Sequence, residues 1–543
     1  MKRVILLCML SGVSLLVSAL TIVRGPYLQS STDNSIKVLW RTDVAGTCVL
    51  KYGDSPSNLA NTAVADTATG INHAIQISGL QPKTKYYYSI EYNSTVLAGE
   101  NEQHHFVTNP VPGDTNEFNI WVTGDFGNGS SNQIKVKNWF ANYIKTHTVT
   151  SWIWLGDNVY SDGKDSEYQA KVFDNVYGYD SIFRFLPFYP MPGNHDYNSV
   201  SRNSDPKKDR GPYYNMVDVP KNGEAGGLPS GTETFYSFDY GNLHFESLNS
   251  EPLPYTILGP DNTMKNYIRN DLDATVRKFK IAYWHQPPYS KGSHDSDDGF
   301  ELIMKSMRED YLPILETHGI DLVLNGHSHV YERSYLIQKH YGSSTVFNHQ
   351  TMLVDSSSGN PDVDSAYVKY TYGPNKDKGT VYAVVGNSGQ SEDENGKHMP
   401  CMLRKLANNE SGSMILTIKG NTLTATYYKS DGTEFDKFAI VKKDTAVSTG
   451  IKTVSNIESI SIYPNPFKKE LSVEITLKKN DALKILISSV DGKLQSQPVW
   501  TGNVGAGKTQ INLTDAVKTL PAGNYILNFE GREGSSSQKI VKL

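Results

Sequence analysis

Residues 325–333 read NGHSHVYER. They follow the apolar run 320–324 and place His327 and His329 two positions apart. Along an unbroken strand, such a pair faces one side. Gly326 argues that the strand has already ended, which puts both imidazoles on a turn at its C-terminal end. Open α/β sheets bind ligands at that end. Four clusters upstream stand in the same relation to an apolar run: Asp125 in GDFG (124–127), Asp157 and Tyr160 in GDNVY (156–160), Asn194 and His195 in GNHD (193–196), and His285 in HQPPY (285–289). The glycine ahead of most of them is expected to allow a sharp turn off the strand.

Between the clusters the apolar period switches between two and 3.6. Strand patterns occupy 117–122, 151–155, 186–191 and 279–284, and 235–248 reads as a hairpin broken at Tyr240-Gly241. Helical patterns occupy 132–147 (Val136, Trp139, Phe140, Tyr143, Ile144), 262–277 and 301–318 (Ile303, Met307, Tyr311, Ile314). This alternation predicts a partly parallel sheet covered by helices. Strands at 379–385 and a hairpin at 413–428, turning at Gly420-Asn421, are expected to complete a second sheet packed on the first.

The chain has 543 residues, too many for one core, so several domains are expected. A net charge of −5 gives no basic surface for a nucleic-acid partner. Lys2 and Arg3 precede an apolar run that closes on Val17-Ser18-Ala19, a small-residue cleavage site. Residues 1–19 are therefore expected to be a secretory signal, and no later stretch is apolar enough for a transmembrane segment. Cys8 would leave with the signal. Cys48 and Cys401 could pair or stand as two separate buried thiols.

Residues 24–110 read as a β-sandwich, with strands near 36–41, 48–52, 73–77, 85–92 and 103–108. Leu80, Pro82, Thr84, Tyr86 and Tyr88 alternate, so one face should be buried. Linkers follow at 111–116 and 444–456. Between them, 117–443 forms the central domain, and 457–543 a separate β domain. In that last domain GNVGAGKT (502–509) matches the P-loop pattern. The pattern needs a helix after it, and residues 510–513 alternate like a strand, so nucleotide binding is not expected there.

Taken singly, the central polar residues have ordinary readings. Asp125 could cap a helix, Asp157 could stabilise a turn and Tyr160 could belong to the core. Five such clusters in a row point instead to one site. Oxygen and imidazole donors without thiolate suit Fe, Mn or Zn. The seven candidates (Asp125, Asp157, Tyr160, Asn194, His285, His327 and His329) exceed what one ion needs. Two ions sharing one carboxylate, about 3.5–4 Å apart, fit better.

In order and content the five clusters resemble the calcineurin-like metallophosphoesterases, and within them the purple acid phosphatases: GDxG, GDxxY, GNH[DE], xxxH and GHxH. Tyr160 is the discriminating residue. The resemblance implies a four-layer α/β/β/α sandwich flanked by all-β domains, and hydrolysis of small-molecule phosphate monoesters by water that the metals acidify. It implies one metal, ferric iron, on Asp125, Asp157, Tyr160 and His329. The second, divalent Fe, Zn or Mn, would take Asp157, Asn194, His285 and His327. His195 and His294 are candidate catalytic acids for the leaving group. A surface loop is the other reading of His294. Two departures stand out: Asn249 replaces the usual aspartate of the segment SLDSE, and the loop with Asp295, Asp297 and Asp298 lacks the usual glutamate-rich ending.

The first domain resembles a fibronectin type III sandwich. The last, with IYPNPF, LPAGNYIL and KIVKL, resembles the sorting domain of type IX secretion cargo. That implies secretion machinery as a partner and a secreted or cell-surface location. The same metal residues would also serve a phosphodiesterase or nucleotidase, and the flanking sandwiches leave room for a surface adhesion protein.

Overall fold

The computed structural model describes residues 20–64, 70–200, 211–251, 262–393, 396–444, 456–489, 498–532 and 534–543. The expected signal at 1–19 and residues 445–455 of the expected second linker lie outside them. The chain forms two compact units: Met1–Lys369 with Asp377–Lys442, and Tyr370–Lys376 with Lys443–Leu543.

Two seven-stranded sheets carry the centre of the first unit. One runs in the order Phe188–Met191, Ser151–Leu155, Phe118–Thr123, Gly412–Lys419, Thr422–Lys429, Glu434–Lys443, Tyr367–Tyr370. Its first three strands are parallel. The other runs Tyr236–Tyr240, Leu243–Ser247, Phe279–Trp284, Leu322–Asn325, Val381–Val385, Tyr331–Ser334, Met402–Leu406. It is parallel from Leu243–Ser247 through Val381–Val385. The sheets pack on each other through stacked pairs such as Tyr189 on Phe238, ring centroids 3.8 Å apart, and Tyr331 on Tyr427 at 4.1 Å. The helix Ser131–Tyr143 closes the outer face of the first sheet, where Phe140 stacks on Trp121. The helix Thr263–Ala274 closes the second, with Tyr267 Oη 2.7 Å from Ser237 Oγ. The result is the four-layer α/β/β/α sandwich.

The hairpin expected at 413–428 does form, but it belongs to the first sheet rather than the second. Gly412–Lys419 pairs antiparallel with Phe118–Thr123, from Met414 against Val122 to Ile418 against Phe118. Periodicity identifies a strand but not which distant edge it will fill. The helix 301–318 also differs. It runs Leu302–Ser306 and Leu312–Thr317, joined by a widened π turn at Met307–Tyr311. Pro313 lies just beyond and has no N–H for the ladder.

In the first domain the alternation holds: Leu80 and Tyr88 are buried while Gln81, Lys83 and Lys85 are exposed. Sequence reading missed Ile22–Gln29, Asn61–Val64 and Thr95–Gly99. Ile22–Gln29 hides its pattern behind Arg24, which is buried through an ion pair to Asp165 at 3.0 Å. Cys48 and Cys401 are separate buried free thiols.

The second unit packs a three-stranded and a four-stranded antiparallel sheet around Phe467, Val473, Ile485, Leu527 and Phe529. Gly507–Asn512 is a strand, and Lys508 pairs with Glu474 at 2.8 Å. A strand rather than a helix continues directly from GNVGAGKT, so the sequence lacks the geometry that would make it a phosphate cradle.

Arg333 and Asp436 tie the two sheets together. The guanidinium meets the carboxylate at 2.5 and 3.0 Å through two nitrogens, and both side chains are buried. Arg333→Met is expected to leave the buried Asp436 carboxylate with the Tyr331 hydroxyl at 2.7 Å and the half-exposed Arg404 as its remaining partners, and to lower unfolding stability by about 3–5 kcal/mol. Arg404, half-exposed and 3.4 Å from the same carboxylate, should cost under about 1 kcal/mol on truncation to alanine. Urea denaturation of the two variants checks the contrast.

Candidate metal centre

Both sheets end their parallel strands at one place. Phe118–Thr123, Ser151–Leu155 and Phe188–Met191 deliver Asp125, Asp157 and Asn194 from the first sheet. Phe279–Trp284 and Leu322–Asn325 deliver His285, His327 and His329 from the second. Tyr160 arrives on the turn after Asp157.

The turns are made differently from the expectation. Asp125, Asp157 and His327 themselves take left-handed backbone, with φ of 56°, 47° and 67°. Non-glycine residues rarely do this, and each costs on the order of 1–3 kcal/mol. The preceding glycines serve mainly close approach. A Cβ on Gly193 would lie 2.2 Å from the Asp157 amide nitrogen, and one on Gly326 would lie 2.4 Å from Asp125 Oδ2. Gly156 alone combines the two roles, with φ +85° and a Cβ position 2.6 Å from His285 Nδ1.

One group of donor atoms surrounds His285. Its Nδ1–H donates to the Leu155 carbonyl at 2.9 Å, so Nε2 faces the site. Nε2 stands 3.2 Å from Asp157 Oδ1, 3.1 Å from Asn194 Oδ1 and 3.2 Å from His327 Nδ1. Asn194 Oδ1 is also 3.0 Å from His327 Nδ1. The chain's own protons cannot satisfy so many converging lone pairs, whereas a cation between them can. Asp157, His285 and His327 each place a donor atom within 4.8 Å of the others.

A second group adjoins the first. Tyr160 Oη donates to Asp125 Oδ1 at 3.0 Å and lies 3.4 Å from His329 Nε2. His329 Nε2 is 3.8 Å from Asp125 Oδ1. Its other nitrogen is 3.3 Å from the Glu392 carboxylate, which orients the ring and turns Nε2 toward Tyr160. The His327 amide donates to both Asp125 oxygens, at 3.1 and 2.9 Å, and locks that carboxylate in place.

The electrostatics match a site built for positive charge. Burial lifts Asp125 to about 6, with the Asp157 charge adding to it and His285 opposing it. Burial, then Asp125 and Asp157, pushes the Tyr160 phenol well above its ordinary value. Burial works against a charged His285, yet Asp157 and Asp125 hold it up at about 10. Burial and the neighbouring imidazoles push His327 well below the ordinary range. Cations at this place would relieve the carboxylates and the phenol together.

His195 and His294 line the same place. The His195 ring lies 4.5 Å from that of Tyr160; Nδ1 donates to the Ser161 carbonyl at 2.7 Å, and Nε2 is 3.9 Å from Asp157 Oδ2. His294 stacks on His327 at 3.8 Å, and its Nδ1 meets Glu301 at 2.6 Å. Both side chains are about one-third exposed, at 30% and 34%. The loop around His294 is tied down. Lys291 binds Asp295 and Asp297, and Asp297 also accepts from the Ser344 amide. Asn249 touches none of the donor atoms: its amide donates to Tyr197 Oη at 2.8 Å.

Sequence reading missed Glu301, Glu392 and Asp196. Asp196 accepts from the Gly193 and Asn158 amides and from Tyr168, and so braces the GNHD turn. It sat inside that quoted motif. Glu301 lies seven residues after His294 at the start of a helical pattern and reads as an ordinary surface residue, whereas Glu392 comes from a segment 63 residues beyond His329.

Residues 118–331 match the family described as Calcineurin-like phosphoesterase, and residues 25–108 match Purple acid Phosphatase, N-terminal domain. These two stretches carry the calcineurin-like phosphoesterase domain and the N-terminal domain of the purple acid phosphatases. Residues 461–543 match Secretion system C-terminal sorting domain. A curated relative, Purple acid phosphatase 15 of Arabidopsis thaliana, is 27% identical over 49% of this chain and 50% of its own length. Purple acid phosphatase of Glycine max is 25% identical over 59% of this chain and 62% of its own. The chain thus spans about half to three fifths of these curated relatives. A purple acid phosphatase from yellow lupin (Lupinus luteus) shares the fold, with a TM-score of 0.57 at 18% identity, over 78% of this chain and 75% of that one. The family implies a dinuclear metal centre, and the donor set described above fits one. The sorting domain marks the protein for export to the outside or the cell surface and implies secretion machinery. No helix among the described residues is long and apolar enough to cross a membrane.

Gly193→Ala is expected to force the Asp157 turn apart and destabilise the chain by about 1–3 kcal/mol. Gly299→Ala, whose Cβ would meet nothing within 4 Å, should leave the urea midpoint unchanged.

Proposed function

We propose that this exported protein hydrolyses phosphate monoesters at a dinuclear metal centre, one ion of which is ferric iron. The supporting observation is the convergence of buried lone pairs on two adjoining points, with Asp157 3.2 Å from His285 in the first and its charge felt by Asp125 and Tyr160 in the second. Asp125, Asp157, Tyr160 and His329 would hold the ferric ion. Asp157, Asn194, His285 and His327 would hold a divalent Fe, Zn or Mn ion. When bound, such a pair polarises phosphate oxygens and lowers the pKa of water.

The chain's own groups do the rest. The left-handed turns at Asp125 and Asp157 fix both carboxylates before substrate arrives. His195 and His294 present their Nε2 atoms toward the substrate side, since Nδ1 of each is engaged behind the ring. His294 is the better placed proton donor to the leaving oxygen, because the Glu301 carboxylate, 2.6 Å from its Nδ1, fixes the ring orientation. His195, held by the Ser161 carbonyl, positions the phosphate. In domain terms the proposal assigns 24–110 to the sandwich, 117–443 to catalysis and 457–543 to sorting, behind a signal at 1–19.

Metal analysis should find two ions per chain at this centre, iron among them, with a visible absorption band from the Tyr160 phenolate. Tyr160→Phe should abolish that band. Protein loaded with metal that shows no phosphomonoester hydrolysis at any pH would sink the reading. Faster cleavage of a diester than a monoester would move it to a phosphodiesterase. His294→Ala should slow an alkyl phosphate by about 10²–10⁴-fold. It should slow an aryl phosphate with a good leaving group far less, since that leaving oxygen needs no proton.

A further inference from the structure

The hairpin Tyr236–Tyr240 and Leu243–Ser247 alternates in sequence, and its polar face reads as a solvent face. The helix Thr263–Ala274 covers that face instead, and the polar residues beneath it are buried. His244 and Glu246 lie two apart on one strand and so share the face. Asp239 is the cross-strand partner of His244, and Asp271 comes from the covering helix. His244 Nδ1 lies 2.8 Å from Asp239 Oδ1. Its Nε2 lies 2.8 Å from Asp271 Oδ2 and 3.8 Å from Glu246 Oε1. Both Glu246 oxygens are buried and have no hydrogen-bond partner among the described residues. Native folds rarely leave a carboxylate so.

We propose that His244 Nε2, Glu246 and Asp271 hold a divalent transition-metal ion of the zinc type, at a site distinct from the strand-end centre. The three donor atoms lie within 4.8 Å of one another. Zinc bonds of about 2.0–2.2 Å place tetrahedral donors roughly 3.4 Å apart, and the distances of 2.8 and 3.8 Å from Nε2 straddle that value. Asp239 accepts the Nδ1–H and so points the Nε2 lone pair at the ion, as a carboxylate behind a ligating histidine does. The Leu228 amide takes Asp271 Oδ1 at 2.6 Å and leaves Oδ2 for the ion. Charge also balances. Asp239, Glu246 and Asp271 face one cation, Arg277, 3.2 Å from Asp239, so a divalent ion brings the cluster to neutrality. Without such a charge, burial pushes the Glu246 carboxyl up to about 8. One imidazole with carboxylates suits zinc, manganese or iron rather than calcium. The ion would pin the covering helix to the edge hairpin of the second sheet.

Zinc-edge anomalous diffraction from full-chain crystals soaked in zinc should show a peak within bonding distance of all three side chains. A map without a peak there overturns the proposal. Zinc counting in solution is the second measure. Glu246→Gln should lose one zinc per chain relative to the parent protein, with the hydrolysis rate retained. An equal count also overturns it, and would leave a neutral Glu246 beside an imidazolium shared by Asp239 and Asp271. If Glu246→Gln fails to fold, the diffraction experiment on the parent chain still decides.

Discussion

The crowding of acceptor atoms around His285 Nε2 is the constraint on which the central domain depends. Three oxygen or nitrogen atoms stand within 3.2 Å of it, all delivered by separate strand ends. Such an arrangement is unfavourable in a metal-free protein interior. The fold holds it by rigid means: left-handed turns at Asp125, Asp157 and His327, and glycines that let neighbouring chain segments approach within contact. Strain of this kind persists only where the surroundings over-determine it. Here those surroundings are the Trp121, Trp152 and Trp154 core below and the paired sheets on either side.

The two-sheet plan explains why the centre has two adjoining halves. The carboxylates and the phenol come from the first sheet, and the imidazoles of His285, His327 and His329 come from the second. Neither sheet alone presents either group of converging donor atoms. What joins the sheets is therefore part of the site's support, and the buried Arg333–Asp436 pair is one such link. Arg333 lies six residues beyond His327 in the same motif, so one short stretch supplies ligand candidates and a clamp between the sheets. The carboxylates behind His294 and His329 are a further layer. They act on ring orientation and tautomer rather than on the ions directly.

Much of this was legible in the chain itself. The central strand ends and the five polar clusters lie within a few residues of their structural positions. Local periodicity reports local conformation, and the clusters are local too. Other features were opaque for identifiable reasons. Gly412–Lys419 looked like a strand but could not announce its partner. Ile22–Gln29 lost its alternation to a buried arginine. The hairpin bearing His244 and Glu246 was legible as a hairpin, but the alternation that marks an amphipathic strand does not say what covers its polar side.

The sequence by itself determined which residue types stand at which strand ends. Side-chain chemistry and a period of two or 3.6 are properties of neighbours along the chain. Only the tertiary structure decided that the glycines make room while the aspartates and a histidine make the turns. It alone brought Glu301 and Glu392 behind their histidines and closed a helix over His244, Glu246 and Asp271. Those outcomes depend on contacts between side chains from seven to more than sixty residues apart, and strand or helix periodicity carries no information about such contacts.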